Sequence, residues 1–165
     1  GVRATSAPRR NWANRAAWMS DRGGLLRGDC IVAGPASVVE GEAMVCSANL
    51  AFSLVDPRTG VVKQPGHPWF DLSVAGRVLL YPSGQGSSAG SWWLLHLAAE
   101  GRAPAVILNA QSDPVVIAGA VLADIPLMHR LSPDPFACIR DGDRVLVDTA
   151  RGTVRVTHYR MEETP

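Results

Sequence analysis

A mixed α/β domain is what this sequence predicts, on three observations. Short apolar runs broken by tight-turn signals fill the stretch from Leu25 to Leu80. A strand, helix, strand alternation follows from Ala105 to Met128, and two apolar runs joined by Asp148-Thr149-Ala150-Arg151-Gly152 read as a terminal hairpin. With 165 residues the chain is long enough for one domain with a full core and too short for two ordinary ones. Hydrophobic residues make up 47% and charged ones 19%, with net charge +1, so the totals indicate neither disorder nor a nucleic-acid footprint. The apolar runs Trp92 to Ala99 and Val115 to Leu122 are too short to cross a bilayer, and no secretory apolar region stands near the start. A soluble, cytoplasmic protein is the expectation.

The first stretch, Gly1 to Gly24, carries Arg3, Arg9, Arg10, Arg15 and Arg22 against the single acid Asp21, without an apolar period, and reads as an extension. Arg-rich, acid-poor starts suit organelle transit peptides, and Met19 offers an internal start. Trp12 and Trp18 point instead to an arm that docks in part on the domain or on a partner. Nucleic-acid binding through this arm ranks last among the readings. It would give a steeply salt-dependent affinity lost on deleting residues before Leu25.

From Leu25 onward, strands are expected at Asp29 to Ala33, Ala43 to Cys46 and Leu50 to Val55. Asp56 to Gly60 suits a hairpin turn, with Pro57 presetting one residue and Gly60 supplying a positive φ, and Val61-Val62 is the return. Gln64 to Pro68 is a loop whose His67 is expected to be exposed or locally hydrogen-bonded. Strands follow at Gly76 to Leu80, Ala105 to Leu108 and Ile125 to Met128, with helices at Trp92 to Glu100 and Val115 to Ala123, the latter capped by Asp113 before Pro114. Arg144 to Val147 and Thr153 to Val156 pair as the hairpin, and Tyr159 to Pro165 is a polar tail. Cys30, Cys46 and Cys138 are odd in number, far apart and among apolar neighbours, so buried thiols are expected rather than a cluster or disulfides.

The stretch with the strongest chemical signal is Tyr81-Pro82-Ser83-Gly84-Gln85-Gly86-Ser87-Ser88-Ala89-Gly90-Ser91. Its glycines allow tight turns and close approach to a ligand, while Ser83, Ser87, Ser88 and Ser91 stand where a helix begins. Free amides at a helix start favour an anion such as carboxylate or phosphate. No Lys follows the last glycine as in a nucleotide P-loop, and the Gly-x-Ser-x-Gly order of a hydrolase elbow is absent. The bland reading, a flexible capping loop, stands beside the functional one. A βαβ order puts ligand sites at the carboxyl ends of strands, near Asn109 and this loop.

The landmarks Gly41-Glu42-Ala43, Val55-Asp56-Pro57 with Gly60, His67-Pro68, Ala75-Gly76 with Val78-Leu79, the serine loop, and Gly119-Ala120 leading to Ile125-Pro126 together resemble the aconitase X swivel domain. In the two-chain forms of that family this domain is the small subunit. The resemblance implies a swivelling β/β/α domain, a partly open β-barrel with flanking helices, over residues 25–157, leaving 1–24 as extension and 158–165 as tail. It implies dehydration of a hydroxy acid together with a large subunit that carries the iron–sulfur cluster, this chain being inactive alone. It further implies that Ser87 is the catalytic base, with Gly86, Ser88, Gly90 and Ser91 binding substrate. Where aconitases proper have an Arg after the serine pair, this chain has Ala89, leaving carboxylate recognition to loop amides, Ser88, Ser91 or the partner. Family substrates are cis-3-hydroxy-L-proline and (R)-5-phosphomevalonate. The cations nearest the loop in sequence, Arg77 and Arg102, are distant, which favours hydroxyproline, with phosphomevalonate as the alternative. The competing reading from another class is a non-catalytic module that binds a small anion.

Overall fold

The structure, a computed structural model, describes residue 15, residues 17–20 and residues 23–158. The polar tail from Tyr159 and most of the Arg-rich extension lie outside the described residues. Strands β1 (Leu25–Val32), β2 (Val38–Val45), β3 (Val78–Tyr81), β4 (Val106–Asn109), β5 (Leu127–Ser132), β6 (Arg144–Asp148) and β7 (Thr153–His158) form a single closed barrel. Its order is β1-β5-β4-β3-β2-β6-β7, with β7 returning to β1. The expected barrel with flanking helices is present, but it is closed rather than partly open, because pairing of Leu25 with Arg155 and Leu26 with Val154 completes the ring.

Parallel pairing runs from β2 through β3 and β4 to β5. Parallel neighbours need a crossover, and helices α1 (Gly90–Ala99) and α2 (Pro114–Ala123) supply the two that link β3 to β4 and β4 to β5. All residues of β3 and β4 are buried, which is why both read in the sequence as unbroken apolar runs. Alternation divides them between two cores. Val78, Leu80, Val106, Leu108 and Met128 point into the barrel beside Val145, Val147 and Val154, whereas Leu79, Tyr81, Ile107 and Leu127 meet Leu94 and Leu97 of α1 and Val116 and Ala120 of α2.

Leu50 to Val55 is not a strand. Leu50 bridges to Gly84, the Ala51 amide donates to Gln64 Oε1 (2.9 Å), and Phe52–Leu54 then closes a 3-10 turn through Leu54 N to Ala51 O and Val55 N to Phe52 O. The turn carries Phe52 into the core, where its ring meets Tyr81 edge-on, a burial that an alternating strand would not give. The Asp56 to Gly60 turn forms as expected: Val55 pairs with Val62, Asp56 N donates to Val61 O, and Gly60 takes φ +74°. β2 begins earlier than the apolar run suggests. Glu40 and Glu42 point outward to Arg144 and Arg77 (3.2 and 3.1 Å), and Gly41 lies so close to Val78 that a Cβ would sit 2.9 Å from its side chain.

Part of the arm does dock on the domain. Arg15 is buried, donates from Nε to Cys138 O (2.8 Å) and ion-pairs with the fully buried Asp143, while Trp18 and Met19 pack on the barrel-interior cluster.

Candidate functional site

The serine loop leaves the carboxyl end of β3 and is pinned from both sides. Sheet pairing runs one residue beyond Tyr81, because Pro82 O accepts from Ala110 N (3.0 Å) and Gln111 N (3.2 Å). Leu50 then grips the next residues, donating to Ser83 O (3.2 Å) and accepting from Gln85 N (3.1 Å). Asp113 secures the middle: Oδ2 accepts from Val115 N (3.1 Å) as the expected cap of α2, and Oδ1 accepts from Gly84 N (3.2 Å). Only glycine fits at 84, since a Cβ would lie 2.2 Å from Asp113 Oδ1. At Gly86 the chain turns with φ +96° over Ala51, a left-handed conformation open to glycine.

Ser87 and Ser88 are therefore exposed on a crest with a fixed base. Neither side chain makes a hydrogen bond among the described residues. Helix α1 starts at Gly90 with Ala89 in the capping position, so no serine hydroxyl caps it. Gly90 N donates to Ser87 O (3.1 Å), Ser91 N to Ser88 O (3.3 Å), and Ser91 Oγ also donates to Ser88 O (2.9 Å). The amides and hydroxyl at 90 and 91 thus brace the crest. Gly90 is buried where a Cβ would meet Val115 at 3.2 Å, making it a contact point between the helices. Arg77 and Arg102, the cations nearest in sequence, belong to the opposite end of the domain. Arg77 precedes β3 and pairs with Glu42, and Arg102 follows α1 and donates from Nε to Arg58 O (3.2 Å).

Beside the crest, the carboxyl ends of β3, β4 and β5 are tied by polar groups that the sequence reading did not assemble. Register aligns Tyr81 with Asn109 and Asn109 with His129. The fully buried Asn109 donates from Nδ2 to Tyr81 O (3.2 Å) and accepts from Ser112 Oγ (3.0 Å), and Ser112 N donates to His129 Nδ1 (3.1 Å). Burial first, then the nearby Arg130 charge, lowers the His129 pKa, with Asp29 acting the other way at 4.0 Å from Nε2. A neutral ring accepting at Nδ1 is the state these contacts favour. His67 is also buried rather than exposed. Its Nδ1 accepts from Trp69 N (3.0 Å), the local bond expected, its Nε2 lies 3.9 Å from Cys46 Sγ, and burial lowers its pKa. Each histidine thus ties a backbone amide through Nδ1.

The thiols divide: Cys46 and Cys138 are buried, but Cys30, on the irregularly paired end of β1, is exposed, against expectation. Burial pushes the Cys46 and Cys138 thiols up to about 11, opposite to the direction a ligating thiolate needs. Among the described residues no three His, Cys, Asp or Glu side chains gather as a metal-binding group, so these residues do not fit an iron–sulfur cluster.

The family model described as the aconitase X swivel domain matches residues 25–156. A curated relative from Methanococcoides burtonii, the phosphomevalonate dehydratase small subunit, is 41% identical over 120 residues, covering 72% of this chain and 88% of the relative. The protein of the same name from Methanothrix thermoacetophila is 43% identical over 116 residues, covering 70% and 84%. Among solved structures, Thermococcus kodakaraensis aconitase X in its holo-form superimposes with a TM-score of 0.75 at 32% identity, covering 81% of this chain and 98% of that one. No helix among the described residues is long and apolar enough to cross a membrane.

Proposed function

Because this chain belongs to the aconitase X swivel-domain family, we propose that it is the small subunit of a dehydratase acting on (R)-5-phosphomevalonate, with Ser87 as the base. The hydroxyproline preference drawn from the sequence gives way here to its alternative. The relatives of 41% and 43% identity carry the phosphomevalonate name, and the scarcity of cations that favoured hydroxyproline holds only for neighbours in sequence. A large catalytic partner is proposed to hold the iron–sulfur cluster, since the described residues of this chain do not fit one.

The observation that carries the mechanism is the exposed hydroxyl of Ser87 on a crest whose base is fixed by Leu50 and Asp113. Elimination of water takes a proton from the carbon next to the carboxylate, and its electron pair forms the double bond as hydroxide leaves the adjacent carbon. Serine removes such a proton only as an alkoxide, which water would protonate. The amides of Gly86, Ser87, Ser88 and Ala89 have no acceptor among the described residues, and with the α1 dipole behind them they favour negative charge on the crest. An exposed crest also requires a partner that covers it and excludes water. Ser88 and the amide of Gly86 are the proposed carboxylate contacts, while Gly90 and Ser91 support the loop from below.

The test is co-expression with the large subunit and assay of water loss from (R)-5-phosphomevalonate and from cis-3-hydroxy-L-proline. Ser87→Ala should assemble normally and lose about 10²- to 10⁴-fold in kcat, the range for a general base. Near-normal turnover by that variant would falsify the base assignment, and turnover of hydroxyproline alone would overturn the substrate. A chain that ignores every large partner and only binds anions would favour the non-catalytic module.

A further inference from the structure

At the carboxyl end of β5, Arg130 adopts φ +54°, left-handed for a residue with a long side chain. The cause lies in the pairing with β1. Arg27 pairs with Ser132 and Asp29 with His129, so two residues on β5 face the single residue Gly28 on β1. This is a bulge, and Gly28 makes room for it: a Cβ there would lie 2.8 Å from His129 O and 2.6 Å from Leu131 Cδ2. Met128 and Leu131 both face the barrel interior. Strict alternation would have turned position 130 inward, and the extra residue turns Arg130 out to solvent instead. Glycine or asparagine would occupy this backbone conformation more cheaply, so what the position gains by having arginine is its side chain.

That side chain is aimed by its neighbours. Arg130 N donates to Ala110 O (3.2 Å), continuing the register with β4, and Arg130 Nε donates to Gln111 Oε1 (2.9 Å). Gln111 N in turn donates to Pro82 O at the root of the serine loop. The two terminal nitrogens of the guanidinium have no acceptor among the described residues. In strand spacing, β5 lies two steps from β3, about 10 Å. A forked cation is thus held on the same end of the parallel sheet as the serine crest and set to one side of it, where a substrate with an anion at each end of a carbon chain would reach.

We propose that Arg130 is a specificity-determining residue that binds the phosphate of the substrate, while the crest of Ser87 takes the carboxylate end. This rests on the phosphomevalonate reading and deepens it. An arginine fork suits a phosphate dianion through paired hydrogen bonds, and Gln111 fixes its plane before the ligand arrives.

The test uses the reconstituted two-subunit complex carrying Arg130→Gly or Arg130→Lys. Glycine relieves the left-handed backbone, so the variant should unfold at the same temperature as the parent or higher. It should raise KM for (R)-5-phosphomevalonate roughly 10- to 100-fold, the range for losing a charge-assisted pair, with kcat within a few-fold. Inhibition by inorganic phosphate should weaken in parallel, and Lys should restore part of both effects. An unchanged KM and unchanged phosphate inhibition in Arg130→Gly, in a complex whose parent is active, overturns the assignment and leaves the substrate reading standing. A loss of kcat accompanied by early melting overturns it as well, since that marks a structural role. A parent complex with no turnover of phosphomevalonate overturns both.

Discussion

Replacing Gly119 by Ala sets two opposed effects against each other at the contact between α1 and α2. In an isolated helix the change would stabilise by about 0.5–1 kcal/mol, because glycine is the poorer helix former. Here the added methyl would stand 2.6 Å from Leu94 Cδ1, 3.1 Å from Leu94 Cβ and 3.0 Å from Ser91 Cα. Carbon atoms prefer about 3.5–4.0 Å. Leu94 is fully buried and Ser91 Cα is backbone, so neither yields by a simple side-chain rotation, and α1 must shift outward by about 0.5–1 Å to restore contact. Overpacking of this kind costs about 1–3 kcal/mol, which outweighs the helix gain and leaves a net loss of about 0.5–2 kcal/mol. Urea unfolding of the parent and variant should show that difference as a lower midpoint with an unchanged slope. Since the serine crest is the head of α1, kcat of the assembled enzyme should fall as well, by up to about 100-fold for a displacement near 1 Å. A variant as stable as the parent or more so, with full turnover, would refute the packing argument, because helix propensity alone would then have decided the outcome.

Arg15→Leu should destabilise the domain by about 1.5–3 kcal/mol, since it removes the guanidinium that donates to the buried Asp143 carboxylate and to Cys138 O, and a change below about 1 kcal/mol in chemical unfolding would count against the docked arm. Burial lowers the pKa of His67 and His129 from 6.5, so below that pH the unfolded chain takes up protons that the folded chain refuses. Stability should accordingly be full above about pH 6.5 and decline as pH falls toward the depressed folded values, and a melting temperature flat from pH 7 to 5 would contradict this. In the native chain a thiol reagent should label Cys30 well before Cys46 and Cys138, whose thiols are buried and raised to about 11; equal labelling rates for all three would show that the buried pair is accessible.

The segments that could be read from the sequence are those whose structure is local or doubly buried. The β3, loop, α1 passage and the β4, α2, β5 passage were legible because central parallel strands are apolar on both faces and because Asp113-Pro114 announces its own helix. The Gly60 turn and the terminal hairpin were legible for the same local reasons. Leu50 to Val55 misled because its apolar residues look like a strand, whereas the bonds that set its shape come from Gln64 and the serine loop. The tie of Asn109, Ser112 and His129 was invisible since it exists only once β4 and β5 are in register, and the strand was expected to stop at Met128. Arg15 and Asp143 are separated by 128 positions, and no local pattern couples them. Of the serine loop, the glycine turns were readable from composition, but helix capping by serine was not what formed: Ala89 holds the cap position and the hydroxyls of Ser87 and Ser88 are left uncommitted.

Each of the seven strands has a neighbour on either side. Among the described residues there is consequently no strand edge of unsatisfied main-chain donors and acceptors along which a foreign chain could zip. A polypeptide that meets the described residues does so through side chains of loop tips, helix flanks and outward strand faces, contacts that let go and re-form without disturbing the backbone ladder. A unit built this way is suited to move as one piece, its interior undisturbed by whatever it meets.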